Sequence, residues 1–159
     1  MTHRLREMYS VVGLLMLLEF LAQFYTIASS GFIKVANEIA NTENARVASG
    51  ATQEIEPFGA AHAVIGVFVV PLTIAALIGV SVGARYPRRT TVLAALLFLL
   101  WLIQFALAFV GFLGVAALAG LHGVNALAMV GLGIHVVKSN WAFGRPTPAQ
   151  APPTSNPTR

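Results

Sequence analysis

Four long apolar stretches constrain this chain more than any other feature of its sequence. They cover residues 9–32, 59–83, 91–113 and 119–138. An α-helix needs about 20 apolar residues to cross the ~30 Å hydrocarbon core of a bilayer, and each stretch is close to that length. Only 10% of the residues are charged, well below the fraction in ordinary soluble domains. We therefore predict an all-α integral membrane protein with four transmembrane helices.

The charged residues indicate how the spans are oriented. Arg4 and Arg6 precede the first span, three arginines lie within residues 85–89, and Lys138 ends the fourth span. The outer loop at residues 33–58 carries four glutamates instead. Cytoplasmic loops are enriched in Lys and Arg, so we expect both termini in the cytoplasm and this loop outside. The same distribution accounts for the net charge of +4 without a nucleic-acid partner, and it suits a bacterial cytoplasmic membrane.

Short connections between the second, third and fourth spans force neighbouring helices to run antiparallel. We therefore predict an up-down-up-down four-helix bundle over residues 1–142. Apolar residues in the 33–58 loop recur at partly helical spacing, which indicates a surface helix lying on the bundle. The proline-rich stretch at 143–159 is expected to form a disordered cytoplasmic tail. Pro71 predicts a bend in the second span.

The two halves of the chain resemble each other faintly. The first and third spans share the pattern L-x-Q-F around Gln23 and Gln104. The second and fourth spans each carry a histidine near the outer end, at His62 and His122. Each half therefore has the pattern of a glutamine helix followed by a histidine helix.

His62 and His122 are the strongest candidates for a site. The second and fourth helices of an up-down bundle are diagonal partners, so both imidazoles can face the central axis. Two opposed neutral imidazoles form the axial pair that a b-type haem iron accepts. Gly66 and Ala126 lie one turn beyond the histidines on the same helix faces and leave room for a flat porphyrin. Counted from the charges at the far helix ends, the histidines differ in depth by ~10 Å, which a bend at Pro71 would reduce.

Other side chains continue the inward stripe of the fourth span. Asn125, three residues after His122, is predicted to orient the imidazole or meet a polar haem edge, and Met129 to pack on the ring. Gln23 and Gln104 complete the cofactor-binding candidates, with hydrogen bonds between helices as their other expected role. The predicted cofactor is haem b, and no catalytic residue is predicted.

Two further ionisable side chains lie within the spans. Glu19 is expected to be a proton relay or, in preference, to be protonated and hydrogen-bonded to Gln104 across the bundle. His135 lies ~220° around its helix from His122, so it faces away from the predicted haem site, near the cytoplasmic surface.

Three short motifs carry a resemblance to known proteins: HAVIG at 62–66, LIQF at 102–105 and LHGVNA at 121–126. They resemble uncharacterised small four-span membrane proteins of actinobacteria. They also resemble one half of haem A synthase, which consists of two four-helix bundles. This resemblance covers about residues 9–138 and implies that His62 and His122 are axial haem ligands.

The chain also departs from the haem A synthase pattern. The synthase's catalytic bundle has a glutamate three residues before its second-helix histidine; here that position is Gly59, and Glu56 comes a full turn too early. The outer-loop cysteine pair of many synthases is absent, since the chain has no cysteine. These departures argue against oxidation of a haem methyl group, so what the resemblance implies is haem binding. An enzymatic role stays open but is not the preferred expectation.

Three functions stay open at this point. The leading hypothesis is a haem protein for electron transfer, haem handling or redox sensing, with a redox partner or other membrane subunits. The second is a cofactor-free accessory or assembly subunit whose polar residues join helices. The third is a transporter or channel lined by the polar side chains of Glu19, Gln23, Gln104 and Asn125. The near absence of charge in the bundle disfavours this function.

Overall fold

The computed structural model describes residues 2–44 and 57–143, and within these ranges the chain is helical and has no strand. The four helices are α1 (Thr2–Asn44), α2 (Pro57–Gly83), α3 (Arg88–Phe112) and α4 (Ala116–Ser139). Each contains a segment long and apolar enough to cross a membrane. The all-α class and the four membrane-length helices are thus confirmed, and the chain is a multi-pass membrane protein.

The outer surface of the described helices is apolar. Leu72 on α2 is 70% exposed, Leu127 on α4 is 64% exposed, and Leu21 on α1 is 65% exposed. A soluble protein rarely leaves so many large apolar side chains in contact with water. Lipid tails would cover this surface, so the exposed leucines agree with the predicted bilayer environment.

The helices pack side by side, with α1 and α3 each contacting both α2 and α4. Met16, Ile74, Leu97 and Val136, one from each helix, are fully buried in the shared core. Small residues bring α1 and α4 close together, as is common between membrane helices. A Cβ atom added at Gly13 would lie only 2.6 Å from a methyl group of Val137.

Helix α1 is longer than the sequence pattern predicts, because it continues through the first part of the predicted outer loop. The chain from residue 32 to Asn44 contains neither proline nor glycine, so nothing in this segment breaks the helix. Pro57 begins α2, a position where the missing N–H of proline costs no hydrogen bond. The rest of that loop, residues 45–56, and the predicted tail from residue 144 onward lie outside the described residues.

Helix α2 changes its hydrogen-bonding pattern just before Pro71. It is α-helical over Pro57–Val64, π-helical over Ile65–Val69 and α-helical again over Val70–Gly83. In the π segment the Val70 N–H donates to the Ile65 carbonyl, five residues back. The predicted irregularity at Pro71 therefore takes the form of a π-helical segment, which begins three residues after His62.

A histidine–glutamine site between the helices

The structure brings the two predicted histidines together. His62 on α2 and His122 on α4 have their ring centroids 6.4 Å apart, with an angle of 66° between the ring planes. Both side chains are half-buried. The difference in depth expected from counting residues does not keep the rings apart. The π-helical turn reduces this difference in depth, because it takes up extra residues without adding a turn to α2.

Each imidazole is held by the main chain of the preceding helix. His62 Nδ1 lies 3.2 Å from the carbonyl oxygen of Gln23, and His122 Nδ1 lies 3.1 Å from the carbonyl oxygen of Gln104. A carbonyl oxygen can only accept, so the hydrogen-bond network assigns the proton of each neutral ring to Nδ1. The lone pair of each ring is then on Nε2, the nitrogen that remains for a ligand.

The same contact occurs in both halves of the chain. The carbonyl of Gln23 on α1 accepts from His62 on α2, and the carbonyl of Gln104 on α3 accepts from His122 on α4. The two glutamines and the two histidines are the positions that match in the sequence repeat. The repeat therefore corresponds to a repeated contact between neighbouring helices.

The side-chain amides of the two glutamines differ in what they contact. Gln23 Nε2 donates to the main-chain carbonyl of His62 at 3.0 Å. Gln104 Nε2 lies 3.2 Å from Nε2 of His122, which accepts from the amide in the assigned tautomer. Gln104 Oε1 in turn accepts from Asn125 Nδ2 at 2.7 Å. Nε2 of His122 is thus covered by an amide.

Asn125 and Gly66 contact the two glutamines of the site, Gln104 and Gln23 respectively. Asn125 donates to the Leu100 carbonyl at 2.9 Å and to Gln104, so it orients the glutamine that contacts His122 rather than the imidazole itself. The space beside Gly66 holds the Gln23 side chain, whose Oε1 would lie 3.3 Å from a Cβ added at this glycine.

The two remaining candidates on α4 contribute apolar surface. Ala126 is half-buried one turn beyond His122. Met129 is 4% exposed and belongs to the apolar core formed by all four helices. The structure thus places Met129 among core side chains, where its predicted contact with a haem ring stays a prediction.

Sequence reasoning missed two residues that contact the site. Thr26 Oγ1 lies 3.5 Å from His62 Nδ1 and donates to main-chain carbonyls of its own helix. Trp101 Nε1 donates to the Gly66 carbonyl at 2.8 Å. Both lie three residues from a glutamine of the repeat and therefore on its helix face.

The Trp101 contact follows from Pro71. In the five-residue spacing of the π segment, the donor to the Gly66 carbonyl would be residue 71, and proline has no N–H. The indole of Trp101 supplies the missing donor. The sequence signal was a proline inside a membrane helix, which removes a main-chain donor and leaves a carbonyl for another group to satisfy.

The expected hydrogen bond between Glu19 and Gln104 is wrong. Glu19 Oε1 accepts from Thr73 Oγ1 at 2.6 Å, whereas Gln104 is engaged with His122 and Asn125. The reason is the packing order: α1 lies against α2 and α4, while Gln104 is on α3. Glu19 Oε2 is buried without a hydrogen-bond partner among the described residues.

The site has two histidines and no further ligand of the usual metal-binding types. Among the described residues, no group of three or more His, Cys, Asp or Glu could hold a metal ion. The chain matches no known protein-family model, no curated protein and no solved structure. Fold and site together define a multi-pass helical membrane protein with a paired-histidine site between its helices, and its function must be argued from that site.

Proposed function

We propose that this protein binds one b-type haem through His62 and His122, for electron transfer, haem handling or redox sensing. The observation that carries the proposal is the matched pair of Nδ1 contacts to the Gln23 and Gln104 carbonyls. Histidines that bind metals commonly donate their other ring N–H to a carbonyl or carboxylate, which sets the tautomer and the ring orientation. Two rings prepared in the same way favour one shared ligand.

The separation of the rings fits a single metal ion between them. Two metal–nitrogen bonds of about 2 Å each account for about 4 Å. The remainder of the 6.4 Å between the centroids is close to the sum of the two centre-to-nitrogen distances, one in each ring. The angle of 66° between the ring planes is no obstacle, because two imidazoles can bind one metal ion with their planes at any mutual angle.

Space for the porphyrin depends on the glutamine side chains. The Gln104 amide covers Nε2 of His122, and the Gln23 side chain fills the space beside Gly66. Both are flexible side chains whose main-chain carbonyls hold the histidines, so the amides can turn away without disturbing the Nδ1 contacts. A haem with two imidazole ligands supplies one-electron transfer.

The contacts support an up-down-up-down arrangement of the helices. Ser81 near the end of α2 bonds to Thr91 near the start of α3, whereas Gly66, early in α2, bonds to Trp101 deep in α3. The helix pair α3 and α4 follows the same order, from Thr90 with Asn140 to Gln104 with His122.

The charge distribution supports an orientation for this arrangement. The arginines of residues 85–89 lie at the end of the molecule opposite the histidine site. By the positive-inside rule, both termini are cytoplasmic and the histidines lie toward the outer face of a bacterial cytoplasmic membrane. The resemblance to one half of haem A synthase is part of the same proposal.

The alternative is a cofactor-free accessory or assembly subunit. Its support is the amide of Gln104 on Nε2 of His122, which closes a hydrogen-bond network without any ligand. Polar side chains that bond between helices are sufficient to hold a membrane bundle together. In this case the histidines have only a structural role.

A pyridine haemochrome spectrum of the purified full chain separates these functions. If the proposal holds, the purified protein should contain about one haem per chain, and His62→Ala and His122→Ala should each weaken or abolish haem binding, because each removes one axial ligand. His135→Ala is the matched control, since this histidine lies on α4 but outside the site, and it should keep the haem. A wild-type protein that neither copurifies with haem nor binds added haemin would establish the cofactor-free alternative.

A further inference from the structure

A cleft of about 140 Å³ lies between the start of α3 and the end of α4, at the opposite end of the molecule from the histidine pair. Its walls are formed by Arg89, Thr90, Leu93, His135, Ser139 and Asn140. Neither the resemblance nor the proposed haem site uses this cleft.

The base of the cleft is held together by its own hydrogen bonds. The buried Thr90 hydroxyl donates to Asn140 Oδ1 at 3.1 Å, and Asn140 Nδ2 donates to the Val136 carbonyl at 2.8 Å. The side chains of Arg89 and His135 are exposed at its rim, and neither side chain has a hydrogen bond or ion pair within the described parts of the chain. The cleft therefore offers a fixed polar base and two nitrogen donors.

No nearby carboxylate neutralises Arg89. This end of the molecule carries many basic residues, whereas Glu7 is its single acidic residue among those described, and Glu7 pairs with His3 at 3.4 Å. The basic residues without a carboxylate partner among the described residues are Arg4, Arg6, Arg85, Arg88, Arg89 and Lys138. The ligand that suits such a cleft is an anion.

The surface next to the cleft is suited to an acyl chain. Arg89, Leu93 and Leu96 recur at i, i+4 and i+7 and so share one face of α3, and Leu96 is 40% exposed. On α4, Gly131 lies one turn from His135, and a Cβ added there would meet no atom within 4 Å. A basic rim thus adjoins an exposed apolar surface formed by two membrane helices.

We propose that this cleft binds the phosphate of an anionic phospholipid headgroup, with Arg89 as its main contact and an acyl chain along Leu93, Leu96 and Gly131. Basic pockets between membrane helices at the cytoplasmic side are suited to such headgroups. Arg provides a planar set of donors that matches phosphate oxygens. Free phosphate has the same headgroup chemistry but lacks an acyl chain to lie on the apolar surface beside the cleft.

Lipid binding to the full-length protein, purified in a neutral detergent, tests this proposal by native mass spectrometry. Phosphatidylglycerol should bind more tightly than phosphatidylcholine, and Arg89→Ala should weaken phosphatidylglycerol binding about tenfold, as expected for loss of a charged hydrogen bond. Arg88→Ala is the matched control because this neighbouring arginine is exposed but does not line the cleft, and its effect should stay within about twofold. Circular dichroism would establish that both variants are folded.

Three results would overturn the proposal. Equal losses in the Arg88 and Arg89 variants would show diffuse attraction to a basic surface. Equal binding of phosphatidylcholine would show that the negative charge of the headgroup is not recognised. Displacement of the bound lipid by inorganic phosphate would show that the cleft is an anion site in which the acyl chain has no part.

Discussion

The two halves of this protein hold a histidine in the same way but differ in the contacts of its other ring nitrogen, Nε2. In each half a glutamine carbonyl accepts from Nδ1 of the histidine on the next helix. In the first half the Gln23 amide donates to the main chain of His62, and in the second the Gln104 amide contacts Nε2 of His122. The main-chain contact sets the orientation of both rings. The Gln104 amide occupies Nε2 of His122, whereas the Gln23 amide leaves Nε2 of His62 uncovered.

A second difference between the halves lies in the histidine helices. Helix α2 has Pro71 and a π segment, while α4 is α-helical throughout Ala116–Ser139. The carbonyl that Pro71 frees belongs to Gly66, and the third helix satisfies it through Trp101. A carbonyl of the first histidine helix, α2, is therefore satisfied by a side chain from the other half of the chain.

The largest effect on stability should come from removing the hydrogen bond between Trp101 and the Gly66 carbonyl. Trp101→Phe keeps an aromatic ring but removes the donor, which leaves the Gly66 carbonyl unsatisfied in the apolar interior and should cost about 1–3 kcal/mol. Thermal unfolding of the protein in detergent, followed by circular dichroism, measures this loss.

The matched test restores an N–H on α2. In a Pro71→Ala background residue 71 can donate to the Gly66 carbonyl, so Trp101→Phe should cost distinctly less than in the wild type. Equal costs in the two backgrounds would show that the indole hydrogen bond is unrelated to the proline.

A smaller effect should distinguish the two glutamines. The Gln104 side chain makes two hydrogen bonds and the Gln23 side chain makes one. Since such bonds between membrane helices contribute about 0.6 kcal/mol each, Gln104→Leu should destabilise the haem-free protein about twice as much as Gln23→Leu.

Haem affinity should respond differently to the same glutamine variant. Gln104→Leu removes the amide that competes for Nε2 of His122, so the affinity for added haemin, measured by absorbance titration, should not fall. Thr26→Val provides a mild control, because its 3.5 Å contact with His62 is at the limit of a hydrogen bond. A Gln104 variant that loses haem while Thr26→Val retains it would show that the amide supports haem binding instead of competing with it.

The sequence predicts the four helices and the pairing of His62 with His122 better than it predicts the hydrogen-bond partners of the polar side chains. Apolar length alone indicates four membrane helices, and the repeat of Gln23 and Gln104 with the two histidines points to the side chains that meet. Main-chain acceptors have no sequence signature, so the Nδ1 contacts could not be foreseen. The partner of Glu19 depends on which helices are neighbours, and that order is decided by packing of the whole set.

The end of α1 was also beyond prediction from hydropathy. The apolar spacing after position 32 indicated a separate surface helix on the bundle, but with no glycine or proline to break it α1 itself continues to Asn44. Pro71 indicated that a carbonyl about one turn earlier lacks its main-chain donor, but the π segment that makes this the Gly66 carbonyl, and Trp101 as its donor, had no sequence signature.

The most direct test of the central claim is the spin state of the iron in the haem-loaded protein, measured by electron paramagnetic resonance. If the imidazoles of His62 and His122 are both axial ligands, the oxidised wild-type protein should give a low-spin spectrum. His62→Ala or His122→Ala should then give high-spin iron or no haem. A high-spin wild-type protein, or a low-spin spectrum that survives both substitutions, would contradict the account.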